Sequence, residues 1–201
     1  SVAGIWAIGD VTHRVNLTPV AIAEGRFDRS LVTIHNLDGT VALDHEEYPR
    51  PETTTEGLAA LHPSFTKFGD FSFEQTELTM RELMAQKYPG VELHNVHHAG
   101  NSSGVVDGAG AVLVASPDYA TAHGLTPRAR IVMSAVAADE PLIMLTAPGP
   151  AANKCLERAG MTVDDIDLFE VNEAFAAVVL RFFRDTGVDP LKVNVNGGAI
   201  A

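Results

Sequence analysis

The chain has 201 residues, of which 46% are hydrophobic and 20% charged, the makeup of a globular protein rather than a disordered or collagen-like one, and domains of about 100–200 residues leave room for one large domain or a domain with an appendage. A net charge of −12 opposes nucleic-acid and anionic-membrane partners, since phosphate backbones are bound by clustered Lys and Arg. No apolar run approaches the roughly 18 residues that cross a bilayer, SVAGIWAIGDV lacks a signal-peptide pattern, and the lone Cys155 rules out an internal disulfide framework; the expectation is a soluble, non-exported, cytoplasmic protein.

In chain order, AIAEG predicts a helix ending near Gly25, and the β-prone runs LVTIHN and TVALD flank Asp38-Gly39, a hairpin signal because both residues tolerate positive φ. TTTEGLAAL predicts a helix capped by Thr53 or Thr54. FEQTELTMRELMAQK predicts an inserted helix, with Leu78, Arg81, Glu82 and Ala85 at helical spacing. After Pro89-Gly90 the texture changes to small residues and short apolar runs, which marks the best internal boundary.

From Asp107 onward strand and helix patterns alternate. DGAGAVLVAS, ARIVMSAVAA, DIDLFEV and VNVN predict strands; PDYATAHG, PGPAANKCLERAG and NEAFAAVVLRFFRDTG predict helices, the first two ended by Gly124 and Gly160. Such alternation implies an α/β architecture with a mostly parallel sheet covered on both faces.

Three segments, in this order, resemble thiolases: AGNSSGVVDGAGAVLVAS (Ala99 to Ser116), LFEVNEAFAAV (Leu168 to Val178) and VNVNGGAIA (Val193 to Ala201). EGRFD and EEYPRPETT extend the resemblance backward, and it holds from about Ala21 to Pro63 and from Ala99 to the end. The first twenty residues and the Phe68 to His98 insertion do not match the general family pattern well, although a longer variant of this insertion occurs in some bacterial 3-ketoacyl-CoA thiolases. The resemblance implies the layered α/β/α/β/α thiolase fold, with residues 1–104 in the loop region that binds coenzyme A, 105–126 closing the N-terminal half, and 127–201 in the C-terminal half. It further implies an acyltransferase acting on 3-ketoacyl-CoA and acetyl-CoA through a cysteine acyl-enzyme, in fatty acid metabolism such as β-oxidation or in synthesis. Coenzyme A enters as a substrate, with no permanently bound cofactor, and homo-oligomers, dimers or tetramers, are the family expectation.

Asn172, in VNEAFA, is similar to the asparagine that holds a water molecule in the thiolase oxyanion hole, and fixed donors aimed at developing negative charge lower a barrier by several kcal/mol. Its residue-level alternative is the N-cap of the following helix. Ser103 matches a serine that contacts the pantetheine arm, with Gly100 and Gly104 allowing close approach; Asn, Ser and Gly also favour an ordinary turn. Arg50 falls where the family places an arginine facing the phosphates, and Phe65 where an apolar ring lies near adenine; a guanidinium suits bidentate phosphate contact. A solvated arginine and a core phenylalanine are the plain alternatives. Phe175 lines the acyl or pantetheine tunnel, or is ordinary core.

The resemblance places the nucleophilic cysteine ahead of Ser1, and a Gly-His-Pro histidine and second cysteine after Ala201, so residues 1–201 alone are expected to be inactive. Cys155, inside ANKCLERAG, reads as a structural thiol. His94, His97 and His98 lack a cysteine or carboxylate at ligand spacing, so no metal site is expected. Gly108 and Gly110 precede a strand and lack a third glycine, which rejects a dinucleotide fingerprint. The Asn101-Ser102-Ser103 sequon is discounted without a secretion signal, and Asp164, Asp165 and Asp167 read as a solvated joint. Ketoacyl synthases, a rival within the superfold, carry histidine where this chain has Asn172. From another class, a non-catalytic CoA- or lipid-binding thiolase-like protein remains the alternative.

Overall fold

The computed structural model describes residues 31–45, 47, 50, 52–72, 76–106 and 110–200. The expected helix ending near Gly25 lies outside them. The hairpin forms where Asp38-Gly39 predicts it. Strand β1 (Ile34–His35) pairs antiparallel with β2 (Val41–Leu43), Gly39 takes φ 86°, and the Asp38 carboxylate accepts from the Thr40 N–H and hydroxyl at 2.9 and 2.6 Å.

Helix α1 (Thr55–Ala59) is capped by the Thr54 hydroxyl, which accepts from Gly57 N at 3.0 Å. The inserted helix is shorter than its periodicity suggests. It runs as α2 (Met80–Lys87), because Thr79 and Glu82 form a reciprocal capping box that fixes the start inside the helix-prone stretch. Helix α3 (Pro117–Ala122) starts on the Ser116 hydroxyl.

Helices α4 (Pro148–Ala159) and α5 (Ala176–Thr186) build the core. The first offers Ala152 and Leu156, the second Val179, Phe182 and Phe183, each set at the three- or four-residue spacing of one helix face. Between them lies the predicted strand DIDLFEV with Ile166, Phe169 and Val171, joined by Val188 and Val193. From Phe169 burial alternates strictly: Phe169, Val171 and Glu173 point inward while Glu170 and Asn172 are exposed. Arg181 Nε donates to both oxygens of Asp185 at 2.7 and 2.8 Å, and Asn153 reaches the Asp185 carbonyl at 3.3 Å, which links α4 to α5.

The four predicted strands need correction. Among the described residues, 110–116 and 129–138 form no strand and are largely exposed, with Val112 and Val136 each at 84%. A central strand requires ladder partners, and these runs have none among the described residues. DIDLFEV and VNVN do meet, through a parallel bridge between Phe169 and Val193, with Phe169 N donating to Lys192 O at 2.9 Å and Asn194 N to Phe169 O at 2.8 Å. VNVN stops there because Asn194 turns to φ 50°. Its side chain, fully buried, takes over the ladder: Oδ1 accepts from Val171 N at 2.7 Å and Nδ2 donates to Val171 O at 3.1 Å.

Candidate functional site

The three motif segments converge. Ser103 N donates to Ala174 O at 3.1 Å, Gly104 N to Ala199 O at 2.9 Å, and Ile200 N to the Glu173 carboxylate at 2.6 Å. Ser102 also bridges antiparallel to Phe175. AGNSSG therefore runs alongside residues 174 and 175, while the Gly197-Gly198 turn folds back onto Glu173.

Asn172 is exposed, on the outward side of the segment whose other side carries Val171 and Glu173. It is not the helix cap. Helix α5 begins at Ala176 with Phe175 in the cap position, because residues 174 and 175 are held extended by their hydrogen bonds to the AGNSSG loop. The predicted helix start at Asn172 is thus displaced by tertiary pairing. Ser103 is half-buried one residue beyond the bridge.

Side chains of the loop explain its shape. Gly100 N donates to His98 Nδ1 at 3.1 Å, Asn101 Oδ1 accepts from His98 N at 2.9 Å, and the Ser102 hydroxyl donates to His98 O at 2.7 Å. A Cβ at Gly100 would come within 2.9 Å of Leu61 Cδ1 and collide with Leu58, so α1 lies directly on the motif. Arg50 sits exposed in the turn ahead of α1, its carbonyl accepting from Thr53 N at 3.0 Å and the Thr53 hydroxyl at 2.7 Å.

Phe65 and Phe175 meet edge to face, with ring centroids 5.9 Å apart, and the His97 ring lies 4.5 Å from Phe175. Ser64 N donates to His97 O at 2.8 Å, which fixes LHPSF beside the loop. Burial, reinforced by neighbouring His98, holds the His97 imidazole below its ordinary value. The three histidines converge on no common point; His97 packs on Phe175 and His98 shapes the loop. Among the described residues no group of three His, Cys, Asp or Glu side chains is set to hold a metal ion. Cys155 is half-buried within α4.

A cavity of about 430 Å³ opens beside Phe175, within the range of small-molecule sites. Phe65 and His97 line it near the loop, Met80 and Met84 of α2 from one side, and Leu142 to Leu145 from another. Met144 and Leu145 both take left-handed φ, 53° and 57°.

Two buried polar residues of the site are not marked by their sequence patterns. Glu173, 1% exposed, falls in a predicted helix first turn, and Asn194, fully buried, in a predicted strand. The available signal was polarity inside apolar runs, since a buried polar side chain must be hydrogen-bonded.

Comparison with known proteins gives a consistent result. Residues 125–201 match the family "Thiolase, C-terminal domain". The chain is 40% identical over 209 residues to the acetyl-CoA acetyltransferase of Paracoccus denitrificans, covering 100% of this chain and 47% of that protein. It is 42% identical over 187 residues to a 3-ketoacyl-CoA thiolase of Aeromonas hydrophila, covering 90% and 42%. The crystal structure of human mitochondrial 3-ketoacyl-CoA thiolase superposes with a TM-score of 0.71 at 37% identity, over 92% of this chain and 40% of that one; its complex with CoA gives 0.70 at 36%, over the same shares. The chain, spanning less than half the length of these relatives, belongs to the thiolase family and has the corresponding part of the thiolase-like α/β fold.

Proposed function

We propose that the protein carrying this chain is an acyltransferase of the thiolase type, with 3-ketoacyl-CoA, acetyl-CoA and coenzyme A as its substrates. The observation that carries the reading is the convergence of AGNSSG, VNEAF and the Gly197-Gly198 turn through Ser103, Gly104, Glu173 and Ile200. Acyl-transfer chemistry needs a nucleophile, a donor for the developing oxyanion and a seat for the thioester, brought together from distant parts of a chain. In this reading a cysteine thiolate from outside residues 1–201 attacks the 3-keto carbonyl. The C2–C3 bond breaks, acetyl-CoA leaves after protonation of its C2, and the acyl group passes to the thiol of a second coenzyme A.

Asn172, exposed and anchored through its neighbours Val171 and Glu173, holds a water molecule against the oxyanion. Ser103 contacts the pantetheine arm and Arg50 the phosphates; Phe65, packed on Phe175 in one cavity wall, borders the arm near the thioester and not the adenine that the resemblance implies. Phe175, wedged between Phe65 and His97, forms a wall of the tunnel for the acyl thioester. Residues 1–104 belong to the CoA-binding loop region, 105–126 close the first half and 127–201 belong to the second. The protein works as a cytoplasmic dimer or tetramer and keeps coenzyme A as a passing substrate.

The test is Asn172→Ala in the longest form of the protein that its gene encodes, assayed by thiolysis of acetoacetyl-CoA. A fall in kcat of about 10²–10³ with KM nearly constant is expected for the loss of one oxyanion-hole partner. An unaltered kcat would overturn the assignment, and a wild type that binds CoA without cleaving the thioester would make it a binding module.

A further inference from the structure

One wall of the cavity beside Phe175 is built by a single stretch of chain. Phe68, Met80, Met84 and Leu93 come from the segment between Phe68 and His98, which lies outside the three motif segments. Met80 is 3% exposed and Met84 half-buried, so α2 is seated by them and not merely laid on the surface. The opposing wall, Leu142 to Leu145, is tied to α2 through Glu140. That carboxylate lies 3.1 Å from Lys87 Nζ at the end of α2 and accepts from Leu142 N at 3.1 Å, while Glu140 O accepts from Met144 N at 3.2 Å. Consecutive left-handed residues at Met144 and Leu145 persist only where surroundings over-determine them, and here both line the cavity.

The chemistry of the lining selects its occupant. Methionine, leucine, isoleucine, valine and phenylalanine dominate, and the Arg181 guanidinium is already engaged by Asp185. Its polar lining is confined to His94, Asn95, His97, Thr146 and Arg181 among twelve apolar residues, so burying the two amides of a pantetheine arm there carries a cost that an alkyl chain avoids. The cavity starts at Phe175, whose backbone bridges to Ser102 next to Ser103, so it continues from the proposed thioester seat.

We propose that this cavity receives the alkyl tail of a 3-ketoacyl thioester, and that Met80 and Met84 of α2 set the length it accepts, which makes medium-chain substrates preferred over acetoacetyl-CoA. The proposal rests on the thiolase reading above. Burial of a methylene multiplies affinity about fourfold, so the four additional methylenes of 3-ketooctanoyl-CoA favour it over acetoacetyl-CoA on the order of 100-fold in kcat/KM. Met84→Trp fills the cavity and penalises the longer substrate.

The experiment measures thiolysis of both thioesters by the longest encoded protein, as wild type, Met84→Trp and Leu93→Phe. Two fillers at separate positions, one on α2 and one beyond it, guard against one failing to fold, and the wild-type ratio is informative without either. Support is a wild-type preference for the longer substrate and at least an about tenfold greater loss on it than on acetoacetyl-CoA in a folded variant. An active wild type with no length preference, or variants that lose both substrates equally, overturns the cavity assignment alone. A wild type inert toward both thioesters overturns the thiolase reading with it.

Discussion

The clasp between Glu173 and the Gly197-Gly198 turn makes a quantitative prediction. A Cβ added at Gly198 would lie 2.5 Å from each carboxylate oxygen of Glu173, well inside van der Waals contact. Glu173 is 1% exposed and receives Ile200 N at 2.6 Å, so it cannot swing away without giving up a hydrogen bond in a desolvated place. Overpacking of this kind costs about 1–3 kcal/mol, and leaving the buried partners of that bond unsatisfied adds about 1–3 kcal/mol. Part of each is relieved by backbone shift, so Gly198→Ala should destabilise by roughly 2–4 kcal/mol. The measurement is equilibrium denaturation in urea, with the midpoint falling and the slope unchanged. A cycle with Glu173→Ala sharpens it: once the carboxylate is gone, Gly198→Ala should cost at least about 1 kcal/mol less than in the wild type. A cost below about 0.5 kcal/mol, or strict additivity between the two substitutions, would refute the packing argument.

Asn194→Ala removes both side-chain bonds to Val171 and leaves its N–H and C=O buried, which should lower stability by about 2–4 kcal/mol in the same denaturation assay; a loss within experimental error would mean that water replaces the amide. For His97, burial favours the neutral ring in the fold, so the unfolded chain binds the extra proton first. Stability from this site is therefore full above its ordinary value of 6.5 and declines as pH falls below it. His97→Phe should flatten that decline, and an identical acid limb in wild type and variant would contradict it.

Local chemistry written in the sequence was enough for several elements. Asp38-Gly39 marks a hairpin, Thr53 or Thr54 a cap, which the fold assigns to Thr54, and Gly160 a helix end, because turn dihedrals and capping bonds are decided within a few residues. The helical runs that become α4 and α5 were equally plain, whereas the inward alternation at Phe169, Val171 and Glu173 shows only in the folded chain. The start of α5 was not legible. Asn172-Glu173 looks like a cap and first turn, yet pairing of Ala174 and Phe175 with the AGNSSG loop holds the chain extended until Ala176. Likewise Val112 and Ile131 lie in runs with strand periodicity, but a strand exists only where another chain segment completes its ladder.

The candidate site divides in the same way. Asn172, Ser103, Phe65 and Phe175 stand out through the segments that contain them, so the sequence alone singled out the residues on which the proposed acyl-transfer reading rests. That Phe65 meets Phe175, that Glu173 clasps the glycine turn, and that Asn194 supplies the amide groups of an absent strand residue are long-range contacts. Those partners are separated by 23 to 110 residues along the chain, and only packing of the α4–α5 core around Val171 brings them within bonding distance.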